Sequence, residues 1–196
     1  LKKYLISEKP DLIIHAAGDV RGILYNKNNN FSSLINNSEM GKNIVLAAYE
    51  SKIKYIFNIS SSSIYPVEAK TPFREDQILT GKLDGTNEGY ALSKIFAQKL
   101  CDYITENNSD FYYKTIIPCN LYGKFDNFDK FKGQMIPSVI SKLHDAKITK
   151  QKTVYIWGSG KSKREFMYAK DFSRFMNFAI LNFSKKLQLF KSQQFG

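Results

Sequence analysis

Tyr90-Ala91-Leu92-Ser93-Lys94 sets a phenol and an ammonium four residues apart. On a helix of about 3.6 residues per turn the two project from one face, one turn apart. A cation so placed favours phenolate and is expected to lower the tyrosine's pKa toward the range of a working general acid/base. The spacing alone is weak, because an aromatic and a lysine one turn apart arise by chance on many solvated helices. About 30 residues earlier stands a run of four serines, Ser60 to Ser63. If that run closes a strand of a parallel sheet, Ser61 lies at the carboxyl edge, where such sheets bind ligands. Ser, Tyr and Lys together suit hydride transfer. Ser and Tyr hydrogen-bond a carbonyl or alkoxide, while Lys tunes Tyr and can hold a ribose. A cap or turn role is the competing expectation for at least one of the four serines.

The elements that must position these groups alternate in a βα rhythm. Asp11 to Ala17 is a short apolar run ending in small residues, and reads as a buried parallel strand. Apolar residues at helical spacing, Met40, Ile44, Val45 and Ala48, predict a helix over Asn37 to Lys52. A second strand over Lys54 to Ser60 runs into the serines. Gly89 to Asn107 is a long amphipathic helix, and Tyr112 to Ile117 a third strand stopped by Pro118. This order predicts an α/β fold with a doubly wound, Rossmann-like parallel sheet. Beyond it, Met135 to Lys147 and Lys170 to Leu181 read as helices and Thr153 to Trp157 as a strand broken by Gly158 and Gly160. The stretch from Ser184 to Gly196 loses hydrophobic periodicity and reads as a tail. The resulting division is 1–133 for the sheet domain, 134–183 for a smaller region and 184–196 for the tail.

Bulk properties narrow the function classes. A chain of 196 residues with 43% hydrophobic and 14% aromatic residues has a globular composition. No apolar run approaches the roughly 18 residues of a membrane-spanning helix. The start, Leu1-Lys2-Lys3-Tyr4, is neither a methionine nor a signal peptide, so the chain is expected to be a piece of a longer protein. Two cysteines, Cys101 and Cys119, stand far apart, which argues against a disulfide framework or zinc site and suits a reducing cytoplasm. The triplet Asn58-Ile59-Ser60 is read as accidental. His15 is expected to pack at a strand end, without a second ligand for a metal. The net charge of +11 comes without interleaved aromatics or a helix-turn-helix pattern, so nucleic-acid binding is not expected. Some of the cations are expected to face the phosphates of a small anionic ligand.

Several stretches, in order along the chain, resemble extended short-chain dehydrogenase/reductases that act on nucleotide sugars, the GDP-L-fucose synthase family in particular. They are Ser61-Ser-Ser-Ile-Tyr-Pro66, Thr86-Asn-Glu-Gly-Tyr-Ala-Leu-Ser-Lys94, Pro118-Cys-Asn-Leu-Tyr-Gly123 and Asp126-Asn-Phe128. Ile136-Pro137, Val154-Tyr-Ile-Trp-Gly-Ser-Gly160, Arg164-Glu-Phe166 and Asp171 continue the series. The resemblance implies a Rossmann domain with a smaller substrate domain, NADP(H) as cofactor, a GDP-linked deoxy sugar as substrate and a cytoplasmic homodimer. It also implies that Ser61, Tyr90 and Lys94 are catalytic. Ala16, Ala17, Gly18, Ser60, Pro118 and Leu121 would line the cofactor together with Tyr90 and Lys94. Asn120, Lys142, Trp157 and Arg164 would fall near the sugar nucleotide, although Trp157 fits core packing equally well.

Three departures from the family carry consequences. Its members use a cysteine two residues after the catalytic serine and a histidine before the Ile-Pro pair to exchange protons beside the keto group. Here those positions hold Ser63 and Gln134. A hydroxyl is a poor acid/base and an amide does not titrate usefully. A C4 reductase without epimerisation, acting on a GDP-4-keto sugar or heptose, is therefore the alternative reading. The third departure is the missing G-x-x-G-x-x-G loop, which seats a cofactor pyrophosphate on a helix N-terminus. Weak NADP(H) binding by this chain alone is the corresponding expectation, and a non-catalytic nucleotide-sugar-binding fragment is the reading of another class.

Overall fold

Three of the apolar runs pair side by side in the computed structural model, which describes residues 1–20, 22–130, 133–156, 158–161 and 163–193. They are β1 (Ile13–His15), β2 (Tyr55–Ile59) and β3 (Tyr112–Ile116), parallel and in that spatial order. Ile13, Ile56 and Tyr113 share one register row, and His15, Asn58 and Thr115 another. Each crossover runs through a helix: α3 (Asn30–Glu50) between β1 and β2, and α4 (Glu88–Asn107) between β2 and β3. The sheet is parallel because a βαβ unit must return its second strand in the same direction.

Alternation along each strand sends its side chains to two layers. On one side Ile56 and Tyr113 meet Val45 and Ala48 of α3, Cys101 of α4 and Leu5 of α1 (Lys2–Glu8). Val45, Ala48, Ile56 and Cys101 are fully buried. A fully buried Val or Ile contributes about 1.5–3 kcal/mol of hydrophobic stabilisation, which makes this layer the main core. On the other side Phe57 and Ile59 pack on Met176 of α6 (Ala169–Gln193), with Phe172, Ala179 and Ile180 beside them. Helices therefore cover both faces of the parallel sheet. This is the doubly wound α/β architecture expected from the sequence.

A smaller unit adjoins it. β4 (Asn120–Tyr122) and β5 (Phe166–Tyr168) form a separate two-stranded parallel sheet, and α5 (Met135–Ile148) lies between them in the chain. α2 (Ile23–Asn28) precedes α3. The remaining turns include short 3-10 helices at Ser62–Ile64 and Glu75–Gln77.

Two expectations fail here. Residues 153–156 form no strand; β4 takes β5 as its partner, and a lone extended segment has no ladder to hold it. Nor does the helix beginning at Ala169 stop near Leu181: it continues to Gln193. Met176, Ile180, Phe183, Leu187 and Phe190 keep a helical apolar period past Ser184, and Lys, Leu and Gln favour helix as well. Among the described residues no helix is long and apolar enough to cross a membrane.

Candidate active site

β2 delivers the serines. Its last residue, Ile59, is followed by buried Ser60, whose N–H donates to Ile116 O at 2.8 Å and so extends the ladder by one bond. The Ser60 hydroxyl is buried and has no hydrogen-bond partner among the described residues. Ser61 then turns the chain into the 3-10 helix as its N-cap: Oγ accepts from Ser63 N at 3.3 Å. Ser63 Oγ also donates to Ser61 Oγ, at 3.0 Å. The Ser62 N–H donates to Pro118 O at 3.2 Å, tying the turn to the end of β3. Ser61 thus has the cap role that was the competing expectation, and it also stands at the carboxyl edge of the sheet.

α4 delivers the other two groups. Tyr90, Lys94, Ala97, Gln98 and Cys101 are all buried, at spacings that mark one helical face turned toward the sheet. Ser61 lies close enough to the Tyr90 hydroxyl to pull its pKa down. A hydroxyl has one proton and two acceptor sites. Since Ser63 occupies both acceptor sites of Ser61, the Ser61 proton is left to donate to another acceptor. Lys94 Nζ donates to Ile59 O at 3.1 Å and lies 5.6 Å from the Tyr90 ring centroid. The α4 backbone is reinforced at this turn by buried Ser93, whose Oγ donates to Tyr90 O at 2.6 Å.

Burial governs the electrostatics. The Tyr90 phenol is pushed up to about 12 by desolvation, against which Ser61 pulls it down. The sequence suggested the reverse, a phenol lowered by Lys94. The ammonium instead spends a hydrogen bond on the Ile59 carbonyl and faces the ring, so the phenolate would form in a poorly solvated place. Burial also holds Lys94 below the ordinary lysine value. His15, buried at the end of β1, is lowered to about 4, by desolvation first and by the Lys94 charge second.

β1 opens onto small residues. Ala16, Ala17 and Gly18 are exposed at its carboxyl end. A Cβ added to Gly18 would stand 3.5 Å from Lys94 Nζ and 3.4 Å from Asn37 Oδ1. The loop is pinned by Asn37, which accepts from Asp19 N at 2.8 Å and donates to Asp19 O at 3.2 Å. The sequence reading missed this role for Asn37. Its signal was available: Asn37 stands with Ser33 as a polar pair one turn apart on the face of α3 that also buries Val45 and Ala48.

The residues expected near a sugar nucleotide lie on the smaller unit. Exposed Asn120, at the start of β4, donates to Glu165 O at 3.0 Å, and exposed Arg164 precedes β5 on the paired side. Leu121 is half-buried in β4, and Pro118 is buried just before it. Lys142, half-buried on α5, lines a cavity of about 280 Å³ with Lys130, Asp145, Thr149, Gln151 and 153–155. Lys130 and Asp145 form an ion pair there. Gln134 is exposed at the N-cap of α5. Trp157 lies outside the described residues.

Residues 1–189 match the model of the NAD dependent epimerase/dehydratase family. The chain belongs to that family. It is 50% identical over 185 residues to the GDP-L-colitose synthase of Yersinia pseudotuberculosis, covering 94% of this chain and 60% of that protein. With the GDP-L-fucose synthase of Azorhizobium caulinodans it shares 41% identity over 174 residues, 89% of this chain and 55% of that one. A solved GDP-L-fucose synthetase from Naegleria fowleri bound to NADP superposes with a TM-score of 0.82 at 26% identity, over 91% of this chain and 58% of that chain. The chain therefore spans a little over half the length of these relatives. Within this epimerase/dehydratase framework, the structure brings together Ser61, Ser63, Tyr90 and Lys94, with His15 and Gly18 adjoining Lys94.

Proposed function

We propose that Ser61, Tyr90 and Lys94 form the reducing centre of an NADP(H)-dependent enzyme acting on the 4-keto group of a GDP-linked sugar, as in converting GDP-4-keto-6-deoxymannose to GDP-L-fucose. The observation that carries this reading is the grouping of buried Tyr90 and Lys94 on one face of α4 with the Ser61 turn at the carboxyl edge of the parallel sheet, Lys94 Nζ donating to Ile59 O and lying 5.6 Å from the Tyr90 ring centroid. With its pKa at about 12, Tyr90 is a phenol at neutral pH and is ready to act as an acid. Ser61 donates a hydrogen bond to the keto oxygen and keeps its proton, while Tyr90 transfers its own proton to that oxygen as it becomes an alkoxide, leaving an alcohol and a Tyr90 phenolate. Ser61, which pulls the Tyr90 pKa down, favours the phenolate left behind, and Lys94, held on Ile59 O, stands beside the ring as a partner for the cofactor ribose. The small residues Ala16, Ala17 and Gly18 and the ammonium behind them fit a dinucleotide lying along this edge, with Lys94 and Ser60 as further hydrogen-bonding groups and Pro118 and Leu121 as apolar wall. When bound, the nicotinamide supplies the hydride.

Asn120, Lys142, Trp157 and Arg164 are assigned to the sugar nucleotide, the cationic residues to its phosphates. The lysine-lined cavity beside α5 supports an anionic ligand there. The same reading makes the intact protein a cytoplasmic homodimer; exposed Leu92, Phe96 and Tyr103 on α4 offer an apolar face to a second copy.

A second reading is favoured by a specific observation. Ser63 Oγ is engaged in holding Ser61, and neither it nor Gln134 titrates near neutrality. The chain is then a C4 reductase without proton exchange at C3 and C5. The experiment is to identify the product of GDP-4-keto-6-deoxymannose and NADPH with the full-length protein. GDP-L-fucose supports the first reading, and a 6-deoxyhexose uninverted at C3 and C5 the second. No NADPH oxidation would overturn both.

A further inference from the structure

The first turn of α4 presents Tyr90, and its backbone is capped in an unusual way. A helix leaves its first four N–H groups without intrahelical partners, and the N-cap side chain normally satisfies one of them. The N-cap here is Asn87, but its side chain makes no such bond. Its Oδ1 instead accepts from Asn26 Nδ2 at 2.8 Å. The orphan Gly89 N–H is satisfied from another helix: it donates to Asn30 Oδ1 at 2.9 Å. Asn30 Nδ2 reaches on to Gly85 O at 2.9 Å, gripping the loop that leads into α4.

Glycine at 89 is required by the same contact. A Cβ there would run into the carbonyl oxygen of Asn30 and stand 3.1 Å from its Cα. These are backbone atoms at the start of α3, and they do not swing aside as a side-chain tip can. The starts of α3 and α4 are therefore locked together at the residue before Tyr90.

We propose that Asn30 is a positioning residue for Tyr90: it caps α4 from α3 through Gly89 and so fixes the phenol against Ser61. The proposal rests on the reading of Tyr90 as the proton donor. Asn30 touches no reacting atom. Its effect is on the placement of one that must lie within hydrogen-bond reach of the keto oxygen, where a misplacement of about 1 Å can cost a hundredfold in rate.

The test compares Asn30→Ala, Asn30→Asp and Gly89→Ala in the full-length protein. Two quantities are read: kcat and KM for NADPH-dependent reduction of GDP-4-keto-6-deoxymannose, and the titration of Tyr90 by carbon-13 NMR of labelled tyrosine. Asn30→Ala and Gly89→Ala are expected to lower kcat about tenfold to a hundredfold with KM nearly unchanged. Both should bring the Tyr90 titration down from about 12 toward the ordinary tyrosine value of about 10 as the ring loosens into solvent. Asn30→Asp keeps an acceptor for the Gly89 N–H but loses the donor to Gly85 O, so it should be less impaired than Asn30→Ala in both quantities or, at worst, equal to it. Asn30→Ala with unaltered kcat and titration would overturn the proposal. Should the alanine variants not fold, hydrogen exchange on the unmutated protein decides. The Gly89 amide is expected to be protected despite its place in the first turn, and free exchange would contradict the clamp. A wild-type protein that reduces no GDP-4-keto sugar would sink the substrate reading, and the Tyr90 titrations would then judge the clamp alone.

Discussion

Ser63 Oγ donates a 3.0 Å hydrogen bond to Ser61 Oγ. Together with the Ser63 N–H contact at 3.3 Å, it fills both acceptor sites of Ser61 and leaves its proton available for a further acceptor. Removing the hydroxyl leaves Ser61 free to turn, at the cost of one part-buried hydrogen bond worth about 0.5–1.5 kcal/mol. Ser63→Ala is therefore expected to slow ketone reduction by up to about tenfold, as read from kcat for NADPH oxidation. Unchanged kcat would show that Ser61 is oriented by other means.

Proton exchange beside the keto group is expected to be slow. Abstracting such a proton needs a base with a pKa near neutrality, and Ser63 and Gln134 supply a hydroxyl and an amide. Incubating the full-length protein with a GDP-4-keto sugar and oxidised cofactor in heavy water isolates this step, since reduction is blocked. Deuterium at C3 or C5 appearing as fast as turnover would restore epimerisation. Its absence fits a reductase.

His15 makes the fold sensitive to mild acid. Its native pKa of about 4 lies below the unfolded value of about 6.5, so between those limits the unfolded chain binds the extra proton. The stabilisation is complete above pH 6.5 and is lost as pH falls toward 4. The difference corresponds to roughly 3 kcal/mol. Urea unfolding of the wild type should lose stability over this window, and His15→Gln, which cannot take the proton, should show a flatter profile. Parallel profiles would place the acid sensitivity elsewhere.

The sheet and the placement of Tyr90 and Lys94 on one face of α4 beside the serine turn could be read in advance because local pattern determines them. Ile13–His15, Tyr55–Ile59 and Tyr112–Ile116 are short apolar runs bounded by small or polar residues, and Tyr90 and Lys94 share a face by helical geometry alone. What escaped depends on distant partners. Asn30 and Gly89 are 59 positions apart, and nothing in either neighbourhood announces their contact. The Tyr90 pKa was misjudged for a related reason: charge spacing is visible in a sequence, whereas burial and the diversion of Lys94 to Ile59 O are not. Residues 153–156 show how an apolar alternation without an available ladder partner stays out of a sheet.

The central claim is that the Tyr90 phenol is the acid of a ketone reduction. Steady-state NADPH oxidation by the full-length protein with GDP-4-keto-6-deoxymannose, compared between wild type and Tyr90→Phe, tests it most directly. Phenylalanine keeps the ring against Lys94 and removes only the hydroxyl. A positioned general acid typically contributes about 10²–10⁴-fold, so Tyr90→Phe is expected to lose that factor in kcat while retaining KM for the sugar nucleotide. Turnover by Tyr90→Phe at the wild-type rate would contradict the assignment.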